Sequence, residues 1–318
     1  MKTILLLGGF GFIGTNILKY IDNYFADEYQ VVVFDRFPNH IDNVVFNCII
    51  KTYAGDFSDK YLLEKIFFEN NIELVIHSLS ASIPSSSIDN TFDLQCNVIP
   101  TINLLDIMSH RKVDKILFIS SGGAIYGDHY VGKYGHREEE VLFPKSAYGV
   151  SKLIIEKFLY LYNIQYGIKS LVIRLSNPYG PYHYSKKQGI INIALEAAMH
   201  GRIFQVWGDG NGQKDYIYIE DFCSILFQLL NQEWQSYRVI NVGSGTLLTV
   251  NQILNHIKCI YPSFNWVYKD SNVLDVTDFQ LNLDIIQKEV DVKYTPLEEG
   301  LNITKKWYDE RNNCSQNS

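Results

Sequence analysis

The chain has 318 residues, 47% of them apolar and 20% charged. That is enough apolar material for a sizeable core, and it excludes a disordered tail or a small stapled scaffold. A net charge of −7 argues against a nucleic-acid or anionic-membrane partner, because such binders gather basic charge on one face.

The five cysteines, Cys48, Cys96, Cys223, Cys259 and Cys314, are odd in number and lack metal-ligand spacing. Reduced thiols in a cytoplasmic protein are expected, with neither disulfide nor metal. No apolar run approaches the ~18 residues of a membrane span.

Short aliphatic runs at 3–7, 30–35, 48–51, 74–77, 115–120 and 170–175 read as buried strands. Between them the apolar spacing changes to a helical period, at 13–24, 60–70, 97–108 and 148–166. This alternation predicts an α/β fold, a doubly wound parallel sheet with helices on both faces. After Arg174 the segments Asn177-Pro178-Tyr179-Gly180-Pro181 and Gly208-Asp209-Gly210-Asn211-Gly212 are rich in turn residues. A second, smaller α/β domain is expected to begin there, and 309–318 is polar enough to be a frayed tail.

Directly after the first run comes Gly8-Gly9-Phe10-Gly11-Phe12-Ile13-Gly14. In a strand–turn–helix context this spacing makes a phosphate cradle. Gly8 allows the tight turn, Gly11 lets backbone approach a pyrophosphate, and Gly14 permits close helix packing. The helix N-terminus adds its N–H groups and partial positive charge. Asp35 closes the second run, where a carboxylate accepts both ribose hydroxyls and repels a 2′-phosphate, so NAD is expected over NADP. The neighbouring Arg36 leaves a route to a 2′-phosphate. Gly55-Asp56-Phe57 reads either as an adenine-contact turn or as an Asx turn without ligand. His77 reads as a core histidine, since nothing with metal-ligand spacing accompanies it.

Tyr148 and Lys152 stand at i and i+4 on one face of the fourth helix. Bringing a phenol from a pKa near 10 to about 7 needs roughly 4 kcal/mol of preference for phenolate. One ammonium at ~5 Å supplies about 3 kcal/mol at an effective dielectric of ~20. An oxidised, positively charged nicotinamide would supply the rest, tying the strength of the base to the presence of the oxidant.

The glycine loop, Asp35, Ile119-Ser120-Ser121-Gly122-Gly123-Ala124-Ile125-Tyr126-Gly127, the Tyr148/Lys152 pair, the segment Arg174–Pro181 and Asp215-Tyr216-Ile217-Tyr218 occur in one order. This order resembles the extended short-chain dehydrogenase/reductases, specifically the NAD-dependent epimerase/dehydratase family that modifies nucleotide sugars.

The resemblance implies a Rossmann dinucleotide-binding domain over 1–176 plus about 215–245, and a substrate domain over about 177–214 plus 246–308. It implies Tyr148 as catalytic base or acid, Lys152 as the partner that sets its pKa and binds ribose, and Ser121 as the hydroxyl on the reacting sugar oxygen. Gly122 occupies the usual position of that hydroxyl, which leaves Ser120 as fallback. Further cofactor contacts are implied for Gly8, Gly11, Phe12, Ile13, Gly14, Asp35, Arg36, Asp56, Phe57, Leu79, Asn97 and Ser120. Substrate contacts are implied for Ser121, Tyr126, Asn177, Gln188 and Lys214.

Dehydratases of the family place Asp-Glu after the catalytic hydroxyl, and here Gly122-Gly123 stands there. A 4,6-dehydratase is therefore disfavoured. The resemblance leaves an epimerase acting at C4 of a nucleotide-linked hexose, a reductase of a 4-keto-6-deoxy nucleotide sugar consuming NAD(P)H, or an inactive dinucleotide sensor. Lys214, and Asn272 further on, stand where relatives carry arginine, so a bidentate grip on the diphosphate is lost. The resemblance also implies a homodimer through the helices 97–111 and 148–166. Their apolar residues include Leu104, Leu105, Met108, Ile154, Phe158 and Leu161.

Overall fold

The computed structural model describes residues 1–37, 44–82, 90–127, 134–270 and 278–316. The six expected strands are present as β1 (Lys2–Leu7), β2 (Tyr29–Asp35), β3 (Ile49–Ala54), β4 (Leu74–His77), β5 (Lys115–Ser121) and β6 (Lys169–Leu175). A seventh, Tyr237–Val242, was not expected. Its first half, Tyr-Arg-Val, is only half-buried and lacks the aliphatic run of the others. The sheet order is Tyr237–Val242, β6, β5, β4, β1, β2, β3.

β1 pairs in parallel with β2 on one side and β4 on the other, so that Leu7 lies between Phe34 and His77. Its aliphatic residues are buried because helices cover both faces. Edge strand β3 carries Lys51 and Thr52 outward. Strand order reverses between β1 and β4, the switch point where doubly wound sheets take ligands.

Helix α1 (Phe12–Tyr24) buries Ile17, Leu18 and Ile21. α2 (Lys60–Glu69) is capped by Asp59, whose side chain accepts from the Leu62 N–H. The expected helix at 97–108 has a more complex start: α3 (Asn90–Asp93), a wide π turn over Leu94–Val98, then α4 (Ile99–Arg111). Pro100 has no N–H to return to Cys96, and the Ile99 N–H just before it bonds back to Leu94. A short turn, α5 (Gly122–Ile125), follows β5. α6 (Ala147–Tyr166) opens at Ser146, which accepts from the Gly149 N–H, and closes at Gly167 in the left-handed region.

The chain divides into two compact units. The first comprises Met1–Gly127, Val141–Leu175 and Leu226–Ile240; the second comprises Asp128–Glu140, Ser176–Ile225 and Asn241–Ser318. Residues 215–225, expected with the first unit, cluster with the second, because the strand Gln213–Tyr218 pairs with Asn177–Tyr179 and Leu247–Thr249 there. The expected tail is instead the end of a helix, Leu297–Gln316. Tyr308 is buried, Lys305 pairs with Asp309, and the Arg311 guanidinium lies over the Tyr184 ring, which holds the last turns in place. Among the described residues no helix is long and apolar enough to cross a membrane.

Candidate active site

Gly8 ends β1 with φ +77, and a Cβ there would stand 3.0 Å from the Leu79 backbone after β4. Only glycine takes this turn at the switch point without strain. At Gly14 a Cβ would lie 2.2 Å from the Gly8 carbonyl oxygen, so α1 packs against the loop through bare backbone. At Gly11 the same atom would meet only the Gly8 oxygen, at 3.4 Å, which leaves the cradle open in front of the helix. No side chain caps α1, and Phe12 and Ile13 of its first turn are half-buried.

The Asp35 carboxylate accepts from the Phe10 N–H at 2.9 Å and from the Phe37 N–H at 3.2 Å. It therefore tightens the loop from the end of β2. Arg36 is paired with Asp56. Asp56 also accepts the Ser58 N–H and hydroxyl, an Asx turn, and these bonds with the guanidinium hold its carboxyl below the usual range. These residues fit a dinucleotide: an open glycine cradle at a helix N-terminus, with a carboxylate beyond it.

Other expected cofactor residues have different tasks. Phe57 is buried in the core between Phe34 and His77, so its ring is not available to a ligand. Asn97 in the π turn accepts from the Ala81 N–H at 2.8 Å and donates to Asp93 at 3.0 Å; it fixes the segment after β4. Ser120 donates to Glu156 at 2.7 Å. His77 is a core residue, edge-on to Phe57 and Phe118, with Nε2 3.0 Å from the Thr101 hydroxyl. Burial and the nearby Lys152 push its pKa down to about 3.

The last three residues of β5 each meet one residue of the buried stripe of α6. The Ile119 carbonyl accepts from Lys152 Nζ at 2.9 Å, Ser120 reaches Glu156, and the Ser121 side chain favours the phenolate of Tyr148. The carboxylate of Glu156 is forked by Arg174, Nε at 3.2 Å and Nη2 at 2.8 Å. Arg174 lies opposite Ser120 in the ladder and also donates to the Tyr126 hydroxyl at 2.8 Å. Tyr126, expected at the substrate, is thus fully buried as a partner of that desolvated guanidinium.

Lys152 Nζ sits 4.6 Å from the Phe118 ring centroid and 5.7 Å from that of Tyr148. α5 packs so closely on α6 that a Cβ at Gly149 would be 2.2 Å from the Ala124 carbonyl oxygen. Burial pushes the Tyr148 phenol up to about 12, against the Ser121 bond that lowers it. Burial also pulls Lys152 down to about 8, opposed by Glu156 and Asp93. The protein by itself therefore makes a weak base.

In the second unit, the Asn177 amide donates to the Asp215 carbonyl at 2.8 Å. Gln188 is exposed and held through its N–H by the Ser185 hydroxyl at 3.2 Å. Lys214 lies on the strand Gln213–Tyr218 beside Leu248. Asn272 lies outside the described residues.

The model of the NAD dependent epimerase/dehydratase family matches residues 4–243. The chain belongs to that family. Its cofactor is NAD. Among curated proteins, a putative UDP-glucose 4-epimerase of Methanocaldococcus jannaschii is 34% identical over 80% of this chain and 81% of its own length. A dTDP-4-dehydro-6-deoxyglucose reductase of Escherichia coli is 29% identical over 80% of each. Among solved structures, the UDP-glucose 4-epimerase of Thermotoga maritima with UDP-glucose superposes with a TM-score of 0.89, at 28% identity, over 97% of this chain and 99% of that one.

Sequence reasoning missed two members of this site. Arg174 had a signal, since an arginine inside the buried run Ser-Leu-Val-Ile-Arg-Leu requires a partner carboxylate, and Glu156 follows Lys152 by one helical turn. Asp93, fully buried beside Asn97, had none, because only the fold brings the segment after β4 against the start of α4.

Proposed function

We propose that this protein is an NAD-dependent epimerase of a nucleotide-linked hexose, inverting C4 through a transient 4-keto sugar. The observation that carries the reading is the buried Tyr148 phenol with Lys152 one turn away, the lysine tied to the Ile119 carbonyl at the end of β5. NAD, when bound, supplies reversible hydride transfer; the Gly8–Gly14 loop would hold its pyrophosphate and Asp35 its ribose.

The remaining work belongs to side chains. Tyr148 takes the proton of the C4 hydroxyl and gives it back after the keto sugar has presented its other face. Ser121 hydrogen-bonds the same oxygen. Lys152, with Nζ 5.7 Å from the Tyr148 ring centroid, favours phenolate over phenol. Burial holds the phenol up at about 12, so phenolate is scarce at neutral pH. An oxidised, positively charged nicotinamide bound beside Tyr148 would favour its phenolate further. Lys214, Gln188 and the carbonyl end of Asn177 would serve the diphosphate and nucleotide. Gly122 and Gly123 place no carboxylate after Ser121, which disfavours a dehydratase.

The second reading, a reductase of a 4-keto-6-deoxy nucleotide sugar, is favoured by the 29% identical reductase. An epimerase purified with its cofactor turns over without added nicotinamide, whereas a reductase consumes NAD(P)H one for one. In either case Tyr148→Phe should lose about 10²-fold or more of turnover. Full activity in that variant sinks the mechanism.

We also propose a homodimer through α4 and α6. Leu104, Leu105 and Met108 face the core, but Ile99, Val150, Leu161 and Ile164 are exposed large apolar residues on these two helices.

A further inference from the structure

Asn177 and Gln188, two residues given to the diphosphate and nucleotide above, are the ends of one segment of the second unit. Between them the backbone takes an unfavourable path. Tyr182 has φ +65, a left-handed conformation that costs a residue with a bulky side chain free energy and persists only where its surroundings impose it.

The surroundings that impose it come from the helix Leu297–Gln316. At Gly300 a Cβ would stand 2.4 Å from the Tyr179 hydroxyl, so the helix meets the start of the segment through bare backbone. Two turns on, the Trp307 ring lies 5.4 Å from that of Tyr182 and 5.5 Å from that of Tyr184. The Tyr308 hydroxyl donates to the His183 carbonyl at 3.3 Å and accepts from the Asn192 amide at 3.4 Å. One turn further, the Arg311 guanidinium lies 4.6 Å from the Tyr184 ring centroid. These residues recur at helical spacing, so one face of the helix lines the segment.

The helix Ile190–Met199 closes the other side. Its Asn192 accepts from the Gly180 N–H at 3.2 Å and donates to the Gly180 carbonyl at 2.8 Å. The His183 ring fills the space at Gly189, where a Cβ would stand 2.6 Å from it. Tyr182 and His183 are buried, whereas Lys186, Lys187 and Gln188 beyond them are exposed.

We propose that Trp307, Tyr308 and Arg311 are positioning residues for the nucleotide end of the substrate. They hold the strained segment in the conformation that presents Asn177 and Gln188 together. The inference rests on the substrate roles proposed for those two residues. A site that is competent in only a fraction of molecules binds with an affinity reduced by that fraction. Because the strain at Tyr182 pulls against the helix, losing one neutral hydrogen bond, worth about five-fold in an equilibrium, populates the released form.

Tyr308→Phe removes both hydrogen bonds of the hydroxyl and keeps the ring, and Arg311→Ala removes the cation from the Tyr184 ring. Each should raise KM for the nucleotide sugar about five-fold and leave kcat and the affinity for NAD unchanged, since Tyr148, Lys152 and the glycine loop are untouched. A merely structural residue would lower the melting temperature and leave KM in place. Lys305→Ala, which breaks the pair with Asp309 on the same helix, should do only that.

Trypsin cleavage after Lys186 or Lys187 reads the segment without turnover. It should be about five-fold faster in Tyr308→Phe and Arg311→Ala than in wild type or Lys305→Ala. If Tyr308→Phe does not fold, Arg311→Ala carries the test, because its side chain is only half-buried. Unmoved cleavage in the folded variants overturns the proposal, and so does a fall in kcat with KM unmoved. An active enzyme with unmoved KM sinks only the role of the helix, whereas wild-type protein inactive on every nucleotide sugar sinks the functional reading instead.

Discussion

Replacing Glu156 by leucine and Arg174 by methionine, singly and together, tests what the buried ion pair contributes. Arg174 is 3% exposed and Glu156 1%. In Glu156→Leu the guanidinium keeps the Tyr126 hydroxyl but loses both carboxylate bonds; in Arg174→Met the carboxylate keeps only Ser120. Stranding one buried charge costs about 3–5 kcal/mol, so each single variant should be destabilised by about 4 kcal/mol. At ~2–4 °C per kcal/mol for a unit of this size, that is a fall of about 10 °C in melting temperature. The double variant removes both members of the pair, and the Ser120 and Tyr126 hydroxyls each lose one bond, about 1–3 kcal/mol each. It should be no less stable than either single, where additivity would give a loss of about 8 kcal/mol. Urea melts followed by circular dichroism give all three values. A double variant at the additive sum would refute the idea that the two charges exist to neutralise each other.

His77 predicts a pH effect with a definite sign. Its folded pKa lies near 3 against an ordinary 6.5, so the unfolded chain takes a proton that the folded one refuses. The stability it supports is complete above pH 6.5 and declines as pH falls toward 3. Between pH 6.5 and 5 the advantage of His77→Phe, whose ring suits the slot between Phe57 and Phe118, should grow by about 2 kcal/mol; a constant difference would show that His77 titrates in the fold as it does in the unfolded chain. For the dimer, Leu161→Asp with Ile164→Asp on the exposed face of α6 should halve the mass seen in sedimentation equilibrium. A wild-type mass of one chain rules the dimer out.

The six strands that reach the core, the glycine loop and the pairing of Tyr148 with Lys152 were legible because each is local. A strand declares itself by an aliphatic run, a phosphate turn by glycines at a fixed spacing, and an i, i+4 pair by helical geometry. Ser121 as the hydroxyl on the reacting sugar oxygen followed from the resemblance only as the nearest one to Gly122. In the structure the fallback, Ser120, is spent on Glu156, and Ser121 is the serine that acts on the Tyr148 phenol.

What only tertiary structure decided is which polar groups are spent inside. Tyr126 and Phe57 look like binding residues in a motif, yet packing buries both. Asp93, unremarkable in sequence, is buried and accepts from the Ser82 hydroxyl and from Asn97 of the π turn. Residue type and spacing determine local conformation and what chemistry a side chain can do. Desolvation and counter-charge arise from segments far apart in the chain, and they decide which of those side chains is left to do it.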